Sequence, residues 1–228
     1  MLPALLGNSN PNAVLSGDVV SVLPTIEVYL VENLRSARRY LKLLDKHINI
    51  DALTFFEIGK HSDFAKFPSY LQPVFGGKNA AVLSEAGCPG IADPGSELVK
   101  IAHEKGIQVV PIVGPSSLLL ALISSGFNGQ QFHFHGYLPI DGQERKKALT
   151  TMEANVQGSG TTHFFIETPF RNEKLLHALL ANLNNKTKLC IACDITLPSE
   201  FIKTKTVASW KKQIPQINKR PTVFLIGK

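Results

Sequence analysis

The sequence predicts an α/β protein of two domains, an N-terminal one built on a mostly parallel sheet with flanking helices and a C-terminal one of mixed α/β structure. Three observations predict it. Between Thr25 and Ser125, short β-rich runs alternate with amphipathic segments, the pattern of βαβ units and a parallel sheet. After Gly126-Phe-Asn-Gly129 the composition shifts toward aromatic-rich strands. A length of 228 residues suits two compact lobes. The boundary is expected near residues 126 to 131, giving domains 1–127 and 128–228.

In the first domain the expected strands are Thr25 to Val31, Thr54 to Ile58, Ala80 to Leu83 and Gln108 to Val113. Helices are expected near Arg35 to Leu44, Gly95 to Lys105 and Ser116 to Ser125. In the second, strands are expected at Gln131 to His135, Thr161 to Ile166, Lys188 to Asp194, Phe201 to Thr206 and Thr222 to Ile226, with two or three helices. Pro139-Ile-Asp-Gly142 resembles an interdomain connection.

Composition excludes several classes. With 44% apolar and 18% charged residues the chain reads as a folded protein rather than a disordered one. Its longest apolar stretches, such as Gln108 to Ser125, are broken by Pro111, Gly114 and Pro115, so no membrane span is expected. The N-terminus lacks a basic n-region, and a cytoplasmic location follows as the expectation. Three cysteines do not make a disulfide scaffold. Cys190 and Cys193 form a C-x-x-C, but a zinc site needs further ligands, and Cys88 and the His133/His135 pair are distant in sequence. The cysteines read as core filler, and the two histidines, which share one strand face, as satisfied or exposed; no metal is expected. A net charge of +6 weakly favours an anionic partner.

The most informative stretch is Ser84-Glu-Ala-Gly-Cys-Pro-Gly-Ile-Ala-Asp-Pro-Gly95, which follows an apolar strand and precedes an amphipathic helix. Glycines and prolines in a strand-to-helix loop suit close backbone approach to a ligand, and in open α/β sheets ligands bind beyond the carboxyl ends of strands. The same residues also make tight turns with no ligand, so composition alone leaves the two readings even. The loop has neither G-K-[ST] nor G-x-G-x-x-G, which removes the main support for ATP and dinucleotides. Val109-Val-Pro-Ile-Val-Gly-Pro-Ser-Ser117 repeats the logic: its serines cap a helix or offer groups to a ligand.

These segments, together with Ser125-Gly126, Phe134-His-Gly-Tyr-Leu-Pro139, Phe165-Ile-Glu-Thr-Pro-Phe-Arg171 and Asp194-Ile-Thr196, resemble the tetrapyrrole methylase superfamily over nearly the whole chain. Within it the nearest branch is the ribosomal small-subunit RNA ribose 2′-O-methyltransferases. The resemblance implies a methyltransferase with S-adenosylmethionine folded in a cleft between the two domains, and a homodimer. It places cofactor contacts at Leu6, Ala86, Gly87, Cys88, Ile91, Ser116, Ser117, Glu167 and Ile195, with Glu85 and Asp93 as polar anchors of the loop. A methyl acceptor with a hydroxyl would use a general base, for which Glu32 and Glu167 are the candidates.

Three features depart from that pattern. Met1 lies only a few residues before Leu5-Leu-Gly-Asn8, so the first strand is expected to be short; Glu32-Asn-Leu-Arg35 stands where the RNA branch carries Glu-Asp-Thr-Arg; and a C-terminal extension common in that branch is not seen. Arg35, Arg38, Arg39, Lys42 and Lys46 form a basic stripe on a helix whose other side carries Leu34, Ala37, Leu41 and Leu44. Such a stripe is a solvated face or a phosphate-contact surface, expected to lie outside the glycine-loop pocket. The acceptor is therefore expected to be RNA or a ribosomal particle, with a tetrapyrrole-like polycarboxylate as the alternative and a non-catalytic binding module as the weakest reading.

Overall fold

The computed structural model describes residues 1–59 and 62–228 and divides into two compact units, Met1–Ser116 and Ser117–Lys228. The first unit contains helices α1 (Pro11–Val14) and α2 (Gly17–Val22), strand β1 (Ile26–Val31), α3 (Leu34–Leu44), β2 (Thr54–Glu57), α4 (Phe67–Tyr70), α5 (Gln72–Phe75), β3 (Asn79–Leu83) and α6 (Gly95–Glu104). The second contains α7 (Ser117–Ser125), β4 (Phe132–Tyr137), α8 (Gly142–Ser159), β5 (Thr162–Ile166), α9 (Asn172–Asn182), β6 (Lys188–Cys193), β7 (Phe201–Thr206), α10 (Val207–Lys212) and β8 (Thr222–Gly227). No described helix is long and apolar enough to cross a membrane.

In the first unit β1 pairs in parallel with both neighbours, in the order β2-β1-β3. A parallel sheet is buried on both faces, and β1 shows how. Tyr29 and Val31 pack with Ala37 and Leu41 of α3, while Leu30 packs on the other side with Ile58, Phe67, Leu71 and Leu98.

One expected strand is absent as such. Residues 108–113 join no ladder; instead the Met1 ammonium donates to the Val110 carbonyl at 2.8 Å and the Ile112 amide donates to the Met1 carbonyl at 3.1 Å. Pro111 has no amide to donate, which interrupts the run. The N-terminal residues take the place beside β3, with Leu2 donating to Val82 O at 3.0 Å.

In the second unit the sheet runs β4-β5-β8-β6-β7, with β4 and β5 parallel and the other pairs antiparallel. Strands β6 and β8 are buried along nearly their whole length. One face carries a core of Phe165, Ile191, Phe224 and Trp210 with Leu175, Leu176 and Leu179 of α9, and the Trp210 indole donates to Leu189 O at 2.8 Å. Cys190 and Cys193 are fully buried three positions apart on β6, hence on opposite faces, where they fill space; burial pushes both thiols up.

The units part earlier than the expected boundary of 127/128. Helix α7 buries Ala121, Leu122 and Ser125, and Thr204 of β7 donates its hydroxyl to Ser125 O at 2.7 Å, which ties the helix to the second sheet. Pro139 to Gly142 is likewise no interdomain connection. It is the turn into α8, where the Asp141 carboxylate accepts from the amides of Gln143 and Glu144, both at 2.9 Å. Those amide bonds hold the Asp141 carboxyl below the usual range. Since the folded value lies below the unfolded one, the cap stabilises above the unfolded pKa and is lost as pH falls through the folded value. Asp141→Ala should therefore lower the melting temperature at pH 7, with the gap to wild type closing in melts near pH 3; a gap independent of pH would refute the cap.

Candidate functional site

The site is built at the carboxyl ends of β1 and β3. Because the strands are parallel and in register at Val31 and Leu83, both chains leave the sheet on one side, where Glu32 donates its amide to Leu83 O at 3.1 Å. Beyond Leu83 the glycine loop begins, and beyond Val31 the turn into α3. The Asn33 side chain caps α3, accepting from the Ser36 amide at 2.9 Å.

These two exits and the N-terminal segment enclose a cavity of about 450 Å³. Its walls are Ala4 to Asn8, then the cap Asn33 with Ser36, Ala37, Arg39, Tyr40 and Leu43 along α3, and Leu83 to Ala86. The size falls within the range for small-molecule sites. Two carboxylates shape it: Glu32 Oε2 accepts from the Glu85 amide at 3.1 Å, and Glu85 Oε1 accepts from the Ser36 hydroxyl at 3.1 Å. Tyr40 donates its hydroxyl to Pro3 O at 2.6 Å, and burial pushes its phenol pKa up.

The glycine loop is fastened from several sides. Gly87 O accepts from the Ala4 amide at 2.8 Å. The Asp93 carboxylate accepts from Gly90 N at 2.9 Å through each oxygen and from Gly95 N at 2.7 Å. The Cys88 thiol lies 3.3 Å from Pro115 O and 3.6 Å from Gly114 O, so the second Gly-Pro turn packs against the first loop. Burial raises the Cys88 pKa, which keeps a neutral thiol there. Gly87 has φ +70°, and a Cβ there would stand 3.2 Å from a Leu6 methyl and 3.4 Å from Pro115 O.

Of the residues singled out by sequence, Leu6, Glu85 and Ala86 line the cavity; Gly87 and Cys88 follow them in the loop, Gly87 against Leu6 and Cys88 against Pro115, without lining it. Ile91 is exposed in the same loop. Asp93 spends its carboxylate on loop amides, so it shapes the loop without lining the cavity. Ser116 ends the first unit and Ser117 opens α7 in the second. Glu167, also in the second unit, accepts from the Thr168 amide and pairs with Arg171, each at 2.7 Å. Ile195 is buried just after β6.

The basic helix is not outside the pocket, as its stripe suggested. Ser36, Tyr40 and Leu43, at spacings of four and three, form a second stripe that faces the cavity together with Arg39. Sequence reasoning divided α3 into a basic and a buried face and missed this third one, whose only signal was that spacing. The basic residues also separate: Arg35 is exposed, the Arg38 guanidinium lies over the Phe55 ring at 5.5 Å, and the Lys42 ammonium donates to Ile48 O at 2.7 Å and Lys46 O at 3.2 Å.

Residues 20–210 match the family model described as Tetrapyrrole (Corrin/Porphyrin) Methylases. A ribosomal RNA small subunit methyltransferase I from Escherichia coli O157:H7 is 29% identical over 99% of this chain and 76% of its own length. One from Mesorhizobium japonicum is 32% identical over 90% of this chain and 68% of its own. Among solved structures, the methyltransferase CobJ superposes with a TM-score of 0.63 at 16% identity, covering 96% of this chain and 90% of that one. A uroporphyrin-III C-methyl transferase from Thermus thermophilus complexed with S-adenyl homocysteine gives 0.52 at 16% identity, covering 95% and 92%.

Proposed function

Because the chain belongs to the tetrapyrrole (corrin/porphyrin) methylase family, we propose that this methyltransferase uses S-adenosylmethionine to methylate RNA, at a ribose 2′-hydroxyl of the small ribosomal subunit. The observation that carries the reading is that Glu85 and Ala86 of the glycine loop line one cavity with Arg39, which sets backbone suited to a cofactor beside a cation suited to a phosphate. The names of the two relatives described above, both ribosomal RNA small subunit methyltransferase I, support the acceptor.

The residues fit the cofactor. Gly87, at φ +70° and packed on Leu6 and Pro115, holds the loop backbone against the cavity wall that Leu6 lines, and Glu32 and Glu85 supply carboxylates suited to hydroxyls or to a cationic centre. S-adenosylmethionine supplies an electrophilic methyl group on a sulfonium. What remains for the protein is alignment and exclusion of water, so no covalent nucleophile is required. Glu32, at the exit of β1 with one oxygen on the Glu85 amide, is our candidate to accept a proton from an acceptor hydroxyl. Glu167 is already engaged by Arg171, which makes it the weaker candidate for that role. A homodimer in the cytoplasm belongs to the same reading; Leu119 and Ile123, one turn apart on α7, are exposed apolar side chains that a second copy would cover.

The test is methyl transfer from labelled cofactor to small ribosomal subunits, bulk RNA or porphyrinogens. Label in small-subunit RNA is expected, and label confined to porphyrinogens would overturn the acceptor. On RNA, Arg39→Gln should weaken binding and flatten the log–log salt dependence by about 0.7 for a single-strand phosphate contact. Lys42→Gln should leave that slope unchanged, since its ammonium serves backbone carbonyls. Equal slopes for wild type and Arg39→Gln would remove Arg39 from the RNA surface.

A further inference from the structure

We propose that His133, His135 and His163 form a binding site for one divalent transition-metal ion of the zinc class. His133 and His135 lie two positions apart on β4, hence on one face of the strand, with rings stacked at 4.2 Å and 4°. The parallel register sets His163 of β5 directly beside His133. One ring nitrogen from each of the three residues falls within 4.8 Å of the others. The sequence put the first two imidazoles on one face but offered no third ligand, because the third lies on the neighbouring strand and is brought in by register.

The chemistry of the cluster fits an ion better than it fits three unconnected histidines. His135 Nε2 and His163 Nδ1 are 2.8 Å apart, which requires a proton between two nitrogen lone pairs. His163 is 2% exposed, and its Nε2 is buried with no hydrogen-bond partner. Neutral imidazoles are the form that binds metal, and imidazole suits zinc, copper and nickel. Metal–nitrogen bonds of about 2.0–2.1 Å in a tetrahedron place ligand atoms roughly 3.3 Å apart, so small ring rotations convert the proton-bridged cluster into a coordination shell. His133 is exposed, which leaves a solvent-side position for a water ligand. The ion would also clamp β4, an edge strand, to β5.

The experiment is calorimetric titration of Zn²⁺ into the full chain, stripped with a chelator and free of any affinity tag. Wild type should bind one ion per chain and melt at a higher temperature when loaded. His133→Gln and His135→Gln should each weaken binding at least about tenfold, the loss that even outer-shell changes cause. Because His133 is exposed, its replacement tests ligation with the fold intact, as the circular dichroism of the apo variant should show. Absence of zinc binding by wild type, or wild-type affinity in a folded His133→Gln chain, would overturn the site.

Discussion

Gly87→Val should abolish S-adenosylmethionine binding and, with it, methyl transfer. Gly87 sits at φ +70°, a left-handed conformation that a β-branched residue adopts only under strain, of order 1–3 kcal/mol. Its Cβ would also press on the Leu6 side chain at 3.2 Å and on Pro115 O at 3.4 Å, and the valine methyls would extend further. Relief requires the glycine loop to move off the N-terminal segment, breaking the Ala4-to-Gly87 bond of 2.8 Å that closes the cavity wall. Strain and lost closure together correspond to a fall in affinity of about 100-fold or more. Gly106→Val is the matched control, because Gly106 has the same φ of +70° but a Cβ there would meet nothing within 4 Å, and it lies beyond α6. That variant should lose stability while keeping cofactor affinity. Calorimetry showing wild-type affinity for Gly87→Val would detach the glycine loop from the cofactor.

Much of this arrangement was legible in the sequence, for reasons particular residues make plain. Strand β1 was legible because Ile26 to Val31 is a short apolar run that must be buried on both sides, and the glycine loop because Gly87, Gly90 and Gly95 follow a strand and precede a helix. Where local pattern and tertiary pairing disagree, the pattern misled. Residues 108–113 have strand composition, but Pro111 cannot complete a ladder and the segment bonds to Met1 instead. Helix α7 reads as part of the first half, yet its buried side meets the second sheet, a fact of packing that helical periodicity does not encode. The cavity-facing stripe of α3 was hidden because Ser36, Tyr40 and Leu43 share no single chemistry. His163 was hidden by distance along the chain: it lies 28 residues from His135, and only strand register joins them.

The same dependence on long-range pairing makes Arg220→Met the substitution with the largest expected effect on stability. Asp194 follows β6 at φ +51°, and its side chain is 8% exposed. Its carboxylate is met by Arg220 Nε at 2.8 Å and by the Ser199 hydroxyl at 2.7 Å. The same guanidinium donates to Ser199 O at 2.7 Å and Gln216 O at 2.8 Å, so a single side chain organises the turn that carries Ile195 and Thr196. Removing it leaves a buried carboxylate without its cation, a change that costs about 3–5 kcal/mol in fully buried pairs. Arg220 keeps 31% exposure, so water reaches the vacated position and the loss belongs at the lower end, about 3 kcal/mol. For the 228-residue chain melting as one unit, that lowers the melting temperature by roughly 6–12 °C. If the uncompensated charge is the cause, adding Asp194→Asn to Arg220→Met should restore part of the loss, since a neutral amide carries less desolvation cost than a carboxylate. A double variant less stable than the single one would mean that the guanidinium acts through its carbonyl contacts to Ser199 and Gln216, not through the ion pair.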